Sequence, residues 1–199
     1  MVDSYLTISK PSEALLKEKG SKFFAYAYPV QDLNAVKALI ENAKKEHHTA
    51  RHWCYAYRLG NDGSDFRSND DGEPSHSAGD PILRQIDSKE LTNVLIIVVR
   101  YFGGVKLGVG GLIQAYGGGA ELALEEAKII TVEVQERIRI SFDYPEMNEV
   151  MRVMKRYDAE MVSNEFMERC WIIAQTPRAQ FKAFGEELSA MHKLELKKL

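Results

Sequence analysis

The period of apolar positions changes several times along this chain, and each change marks an element. Residues 93–102 (Asn-Val-Leu-Ile-Ile-Val-Val-Arg-Tyr-Phe) are almost all β-branched, aliphatic or aromatic. Such an unbroken run predicts a strand covered on both faces. Residues 21–30 (SKFFAYAYPV) are aromatic and end at a proline, and residues 52–59 (HWCYAYRL) alternate large and small side chains; both predict strands. Between them, Leu33, Val36, Ala38, Leu39, Ile40 and Ala43 recur at helical spacing, with Asp32 placed to cap the start. A second helix is predicted from near Gly110 through Ala115, Leu122 and Leu124 to Ala127. It contains Gly117-Gly118-Gly119, and each glycine inside a helix costs about 1 kcal/mol relative to alanine. That cost implies close backbone approach there, by a packed strand or by a ligand.

Beyond Ile130 the pattern shifts. Residues 131–142 read as a strand, 145–157 as a helix with Pro145 in its first turn, and 158–166 and 168–176 as two strands. A helix over 177–191, opening on Pro177, and an alternating strand over 193–199 complete the order βαββαβ, the ferredoxin-like arrangement. The fold class expected is α+β in two domains, residues 1–131 and 132–199. Residues 60–80 (GNDGSDFRSNDDGEPSHSAGD) lack periodicity and are rich in glycine, serine and aspartate. They predict a long ordered loop, and loops of that length inside a domain are usually functional.

Composition narrows the classes of function. The 199 residues are 45% hydrophobic and 28% charged, an ordinary globular balance. A net charge of −3 means that any phosphate-rich partner must be met by a local basic patch. Cys54 and Cys170 stand far apart, without the spacing of a disulfide framework or a zinc site. The N-terminus lacks the basic-then-apolar order of a signal peptide, and the longest apolar run, 94–99, is far too short for a membrane span. A cytoplasmic location without membrane association is expected.

The candidate chemistry centres on two glycine-containing segments. Residues 98–112 lead from a strand through Arg100, Gly103, Gly104, Lys106, Gly108, Gly110 and Gly111 into a helix. Free N–H groups at a helix start, with its dipole, can hold an anion such as phosphate, and Lys106 and Arg100 would add charge. The run is neither a Walker A motif nor a complete GxGxxG, since Ile113 stands in place of the last glycine. The same glycines could instead serve a tight turn and strand–helix packing. The acidic loop brings Asp62, Asp65, Asp70, Asp71, Glu73 and Asp80 near His76. Clustered carboxylates suit a hard metal, but Arg67 breaks the calcium-loop spacing, and Asp beside Gly is also ordinary turn chemistry. No metal site is assigned.

His47 and His48 end a helix, where a cation is favoured, and His52 opens a strand without ligands at metal spacing. Ser75 and Ser77 flank His76 but form no nucleophile motif, and Cys54 lies mid-strand, so no catalytic residue and no cofactor are assigned. Trp53, Tyr55 and Tyr57 share a strand face near Arg51 and Arg58, which suits nucleic acid or core packing. Arg137 and Arg139 share another strand face, and Lys155, Arg156, Lys193, Lys197 and Lys198 lie among glutamates, as on a solvated surface.

Together these pieces resemble the IMPACT family, in its bacterial YigZ-like branch. The resemblance is carried by Ala50 through Tyr57, by Ser68-Asn69-Asp70-Asp71-Gly72-Glu73-Pro74 continuing through Ala78-Gly79-Asp80-Pro81, and by Arg100 through Gly104 with Leu107-Gly108, Gly110-Gly111-Leu112 and Ala115-Tyr116. Lys22, Phe23 and Phe24 fit the family's early basic–aromatic strand. The chain departs from the family pattern at His76-Ser77, where Gly-Thr is usual, and at Gln114, where a basic residue is common. The resemblance implies an N-terminal α/β sandwich like a domain of a small-subunit ribosomal protein and of elongation factor G. It also implies a ferredoxin-like C-terminal domain. Eukaryotic relatives regulate translation initiation. The function expected is therefore a translation-associated binding protein contacting RNA, the ribosome or a translation-related protein, with no DNA partner. The alternative is a metal-dependent nucleotide or small-molecule enzyme that uses the acidic and glycine loops together.

Overall fold

In the computed structural model, which describes residues 2–199, the apolar run becomes the central strand of a five-stranded sheet. Strand β6 (Val94–Tyr101) lies between β3 (Ser21–Pro29) and β4 (His52–Leu59), with β2 (Ser12–Glu18) and β5 (Asp65–Asn69) at the edges. All four pairings are antiparallel. Val94, Ile96 and Val98 face α2 (Gly79–Ser88) and α3 (Gly108–Glu125), packing with Phe23, Ala25, Ala27, Ile82, Ile86 and Tyr116. Leu95, Ile97 and Val99 face α1 (Leu33–Glu46) through Val36, Ile40 and Ala43. Helices on both faces remove any solvated side, which is why the run shows no alternation. The Asp32 carboxylate accepts the Asn34 and Ala35 N–H groups at 2.8 Å and caps α1.

The long loop expected over residues 60–80 is not one. It holds β5 and the first residues of α2. β5 is an edge strand whose Asp65, Phe66 and Arg67 are exposed, and α2 is short and opens on Gly-Asp-Pro, so neither leaves a clear period. Strand β1 (Ser4–Ile8), which pairs with β7 (Ile129–Glu133), likewise leaves no trace in the pattern. The strand expected over 131–142 divides into β7 and β8 (Gln135–Asp143), which belong to different sheets. The glycine triplet in α3 serves packing. A Cβ on Gly117 would meet Pro81 of α2 at 3.7 Å, one on Gly118 would meet Leu16 of β2 at 3.1 Å, and one on Gly119 would meet Ala25 of β3 at 3.7 Å.

The chain divides into two compact units, Val2–Val132 and Glu133–Leu199. In the second, β8 is followed by a 3-10 turn (Tyr144–Glu146), α4 (Met147–Arg156), β9 (Glu160–Glu165), β10 (Arg169–Pro177), α5 (Arg178–Ser189) and β11 (Glu195–Lys198). The strands lie in the order β11-β8-β10-β9, all antiparallel. Ile138, Ile140, Phe142, Ile172 and Ala174 pack under Val150, Val153, Phe184 and Leu188 of the two helices. At one end of this sheet Glu136 meets Lys198 and Arg178, each at 2.8 Å. Lys198 first, and Arg178 after it, hold the Glu136 carboxyl below its usual range. The whole is a mixed α+β structure. Among the described residues no helix is long and apolar enough to cross a membrane.

Candidate functional site

Arg100 and the acidic signature converge around the end of β6 in the first unit, and the glycine loop that follows β6 has a separate role. Asp62 and Asp65 lie toward the opposite end of β6, and the basic residues noted beyond residue 133 belong to the second unit. Arg100 lies on the same face of β6 as Val98 and stands opposite Phe23 of β3 and His52 of β4. Its Nη1 donates to Glu73 Oε1 at 2.7 Å, and the Tyr116 hydroxyl of α3 donates to the same oxygen at 2.7 Å. The Arg100 and Glu73 side chains are 8% and 5% exposed. A guanidinium taken out of water to this extent is tolerated only with a carboxylate beside it. Arg100 is therefore not a cation held ready for phosphate, as expected from sequence. It is the partner of Glu73.

The other members of the acidic signature are also engaged. Asp70 accepts the His76 N–H on Oδ2 at 2.8 Å, and those of Ala78 and Gly79 on Oδ1 at 3.0 and 2.8 Å. It caps α2 from outside the helix, where the N-cap residue Ala78 has no side chain able to do so. Asp71, at φ 42, accepts the Trp53 N–H on Oδ2 at 2.8 Å, and its carbonyl oxygen lies 2.8 Å from His52 Nδ1. The Pro74 carbonyl, past the Gly72 turn, accepts the Ser77 hydroxyl at 2.6 Å. Asp80 accepts from Ser68 and faces His76, each at 2.6 Å, and those two contacts hold its carboxyl below its ordinary range. Gly79 is required by close approach, because a Cβ there would lie 2.5 Å from the Asn69 backbone nitrogen of β5. The acidic loop thus binds β5 to α2 and delivers Glu73 to Arg100. The carboxylates of Asp70, Asp71, Glu73 and Asp80 each face protein donors, as in the turn chemistry expected of Asp beside Gly.

Cys54 sits beneath this loop, with Sγ donating to the Asp70 carbonyl at 3.0 Å. Burial pushes its thiol far up, away from the reactive thiolate. Tyr116 was not picked out by sequence reasoning beyond its place in the family signature. A buried tyrosine needs a partner for its hydroxyl, and no local pattern names Glu73, which lies 43 residues away.

The glycine loop has a different character. Gly103 is packed: a Cβ would lie 1.9 Å from the Gly20 carbonyl carbon, and its N–H donates to Ser21 Oγ at 3.1 Å. Gly104 and Gly108 adopt left-handed backbone at φ 88 and 71. A Cβ on Gly111 would lie 3.0 Å from the Leu107 Cβ. Gly110 needs none of this, since it has no positive φ and nothing within 4 Å of a Cβ. Leu107, before the first residue of α3, gives no side-chain cap to the helix, so its leading N–H groups have no side-chain acceptor there. Lys106 is exposed and has no ion-pair partner among the described residues. Phe102, Val105 and Val109 are likewise exposed around it.

Phe102 also borders a cleft of about 460 Å³, lined with Gly20, Lys22, Phe24, His47 and Tyr101. His47 ends α1 as expected, but it is buried, with Tyr26 Oη 2.7 Å from Nε2 and Tyr101 Oη 3.0 Å from Nδ1. Phe24 and Tyr101 meet edge to face at 5.7 Å. Trp53, Tyr55 and Tyr57 pack in the core under α1.

The model of the Impact N-terminal domain matches residues 19–124. An IMPACT family member from Haemophilus influenzae is 34% identical over 187 residues, covering 90% of this chain and 89% of that one. The IMPACT family member YigZ of Escherichia coli is 28% identical over 190 residues, 94% of this chain and 93% of its own. A crystal structure described only as that of a hypothetical protein superposes with a TM-score of 0.77 at 28% identity, covering 100% of this chain and 98% of the other.

Proposed function

Because the chain belongs to the IMPACT family, we propose that it is a translation-associated binding protein whose glycine loop and α3 start contact RNA phosphate, on the ribosome or on another structured RNA. The observation that carries this reading is Gly110. Neither packing nor backbone conformation asks for glycine there, yet a glycine in a helix costs about 1 kcal/mol. A ligand that must reach the uncapped N–H groups accounts for the cost. Lys106 supplies charge at that end, and the cleft bordered by Phe102, Tyr101 and Lys22 supplies aromatic surface beside it.

The protein works in the cytoplasm on this reading. Its second unit is a ferredoxin-like domain, supported by the βαββαβ order and by the strand order β11-β8-β10-β9. Its first unit is the ribosomal-protein-like α/β sandwich also found in elongation factor G, an assignment that rests on the family resemblance. An enzyme built on Asp70, Asp71 and Glu73 has less to support it, since each of these carboxylates is engaged by a protein donor and Glu73 is the counter-charge of Arg100.

Co-sedimentation with ribosomal subunits across a salt series tests the phosphate contact. Lys106→Ala is expected to weaken binding and to flatten the log–log salt slope by about 0.7–0.9, one phosphate contact. An unchanged slope sinks the assignment of Lys106. Binding that is tight but insensitive to salt points instead to a translation-related protein partner seated on the exposed Phe102, Val105 and Val109.

A further inference from the structure

The sheet of the second unit has two unlike faces. One is sealed by α4 and α5. Among the described residues no helix of that unit packs on the other, where Arg139 of β8, Trp171 of β10 and Lys197 of β11 stand in neighbouring positions. The Arg139 guanidinium lies over the Trp171 indole at 4.6 Å. Trp171 Nε1–H donates to Glu165 at 2.7 Å, which holds the ring in place.

The charges on this face are unevenly satisfied. Glu165 is occupied by Trp171, Glu195 is paired with Arg169, and Arg137 donates to Gln175 at 2.8 Å. Arg139 and Lys197 are exposed and have no carboxylate partner among the described residues. They are direct cross-strand partners, and the next residues in the same row, Ile173 and Ser163, carry no charge. Like charges directly opposite one another oppose sheet formation. An anion between them removes that repulsion, and an aromatic ring layered with a guanidinium is a stacking surface for a base. A concave patch of about 620 Å³ joins these groups, with Ser141 in its lining. Ser141 is the cross-strand partner of Trp171, and its hydroxyl makes no hydrogen bond with any described residue.

We infer that this face is a second RNA site, which takes a single-stranded segment. Phosphate lies between Arg139 and Lys197, and a base stacks on the Trp171–Arg139 layer. The Ser141 hydroxyl is placed to meet a ribose 2′-OH, which favours RNA over DNA. The inference rests on the reading of the chain as an RNA-contacting protein, but not on the glycine loop.

The test is fluorescence anisotropy of a labelled, unstructured RNA of about ten nucleotides, titrated with the full chain at low salt. Trp171→Ala is expected to weaken binding by roughly 5–100-fold, and Trp171→Phe to restore most of it. Arg139→Ser should lower the salt slope by about 0.7. Thermal melting confirms that each variant is folded. Dependence on Trp171 that persists in a Lys106→Ala background supports the sheet face whatever the fate of the glycine loop. Binding that Lys106→Ala abolishes and Trp171→Ala leaves alone overturns the sheet face and leaves the loop standing. No binding of the oligonucleotide by the unaltered chain also overturns it. Equal affinity for DNA of the same sequence overturns the RNA assignment, and equal displacement by polyglutamate overturns the stacking.

Discussion

Replacement of Glu73 by alanine should destabilise the chain by about 3–5 kcal/mol, because it leaves the Arg100 guanidinium buried without a counter-charge. The pair is nearly removed from solvent, at 8% and 5% side-chain exposure, and Tyr116 loses its acceptor in the same step. Arg100 Nε has no partner even in the native arrangement, so the guanidinium has no second acceptor to turn to. The burial cost of a charge, and not the strength of the pair, sets the size of the effect. Exchange of both residues for apolar side chains of similar volume should therefore cost much less than either single truncation. Urea unfolding of the two single variants and the double variant measures this. A loss below about 1 kcal/mol for Glu73→Ala, within the range of exposed pairs, would show that water reaches the guanidinium and that the trio is peripheral.

Asp70→Ala should cost about 2–3 kcal/mol, and Asp70→Asn distinctly less. One carboxylate serves three backbone N–H groups, and the two on Oδ1 belong to the buried start of α2. Alanine leaves those donors unmet inside the fold, and the loss of a charged acceptor is the costly case. Asparagine keeps one oxygen, able to hold Ala78 and Gly79, and gives up the contact to His76; it is also as good a cap as aspartate. The same unfolding measurement checks the order. If both variants lost equal stability, the negative charge itself, rather than the cap geometry, would be what the loop requires.

These two effects show what the sequence could and could not reveal. The strands with strong apolar content, β3, β4 and β6, and the helices α1 and α3 were legible because burial on one or two faces leaves a periodic trace. β5 and α2 were not, because an exposed edge strand and a ten-residue helix capped from a distance leave none. The element order of the second unit was readable for the opposite reason. Prolines sit near its helix starts, and β8 and β10 alternate.

At the candidate site the sequence carried the residues but not their pairing. Arg100 and Glu73 are 27 positions apart, and although one expectation from sequence sets the acidic loop against the glycine loop, nothing local in the chain names their ion pair. Lys106 and Gly110 are the reverse case. They were named by sequence, and the fold leaves them on an open surface.

The most direct measurement takes that open glycine at face value. Gly110→Ala adds a methyl group where nothing lies within 4 Å, inside a helix, and should stabilise the chain by about 0.5–1 kcal/mol. If the α3 start is a phosphate contact surface, the same variant should bind ribosomal subunits more weakly while it melts at a higher temperature. A variant that is more stable and binds as well as the unaltered chain would contradict the account, because the glycine would then serve no ligand.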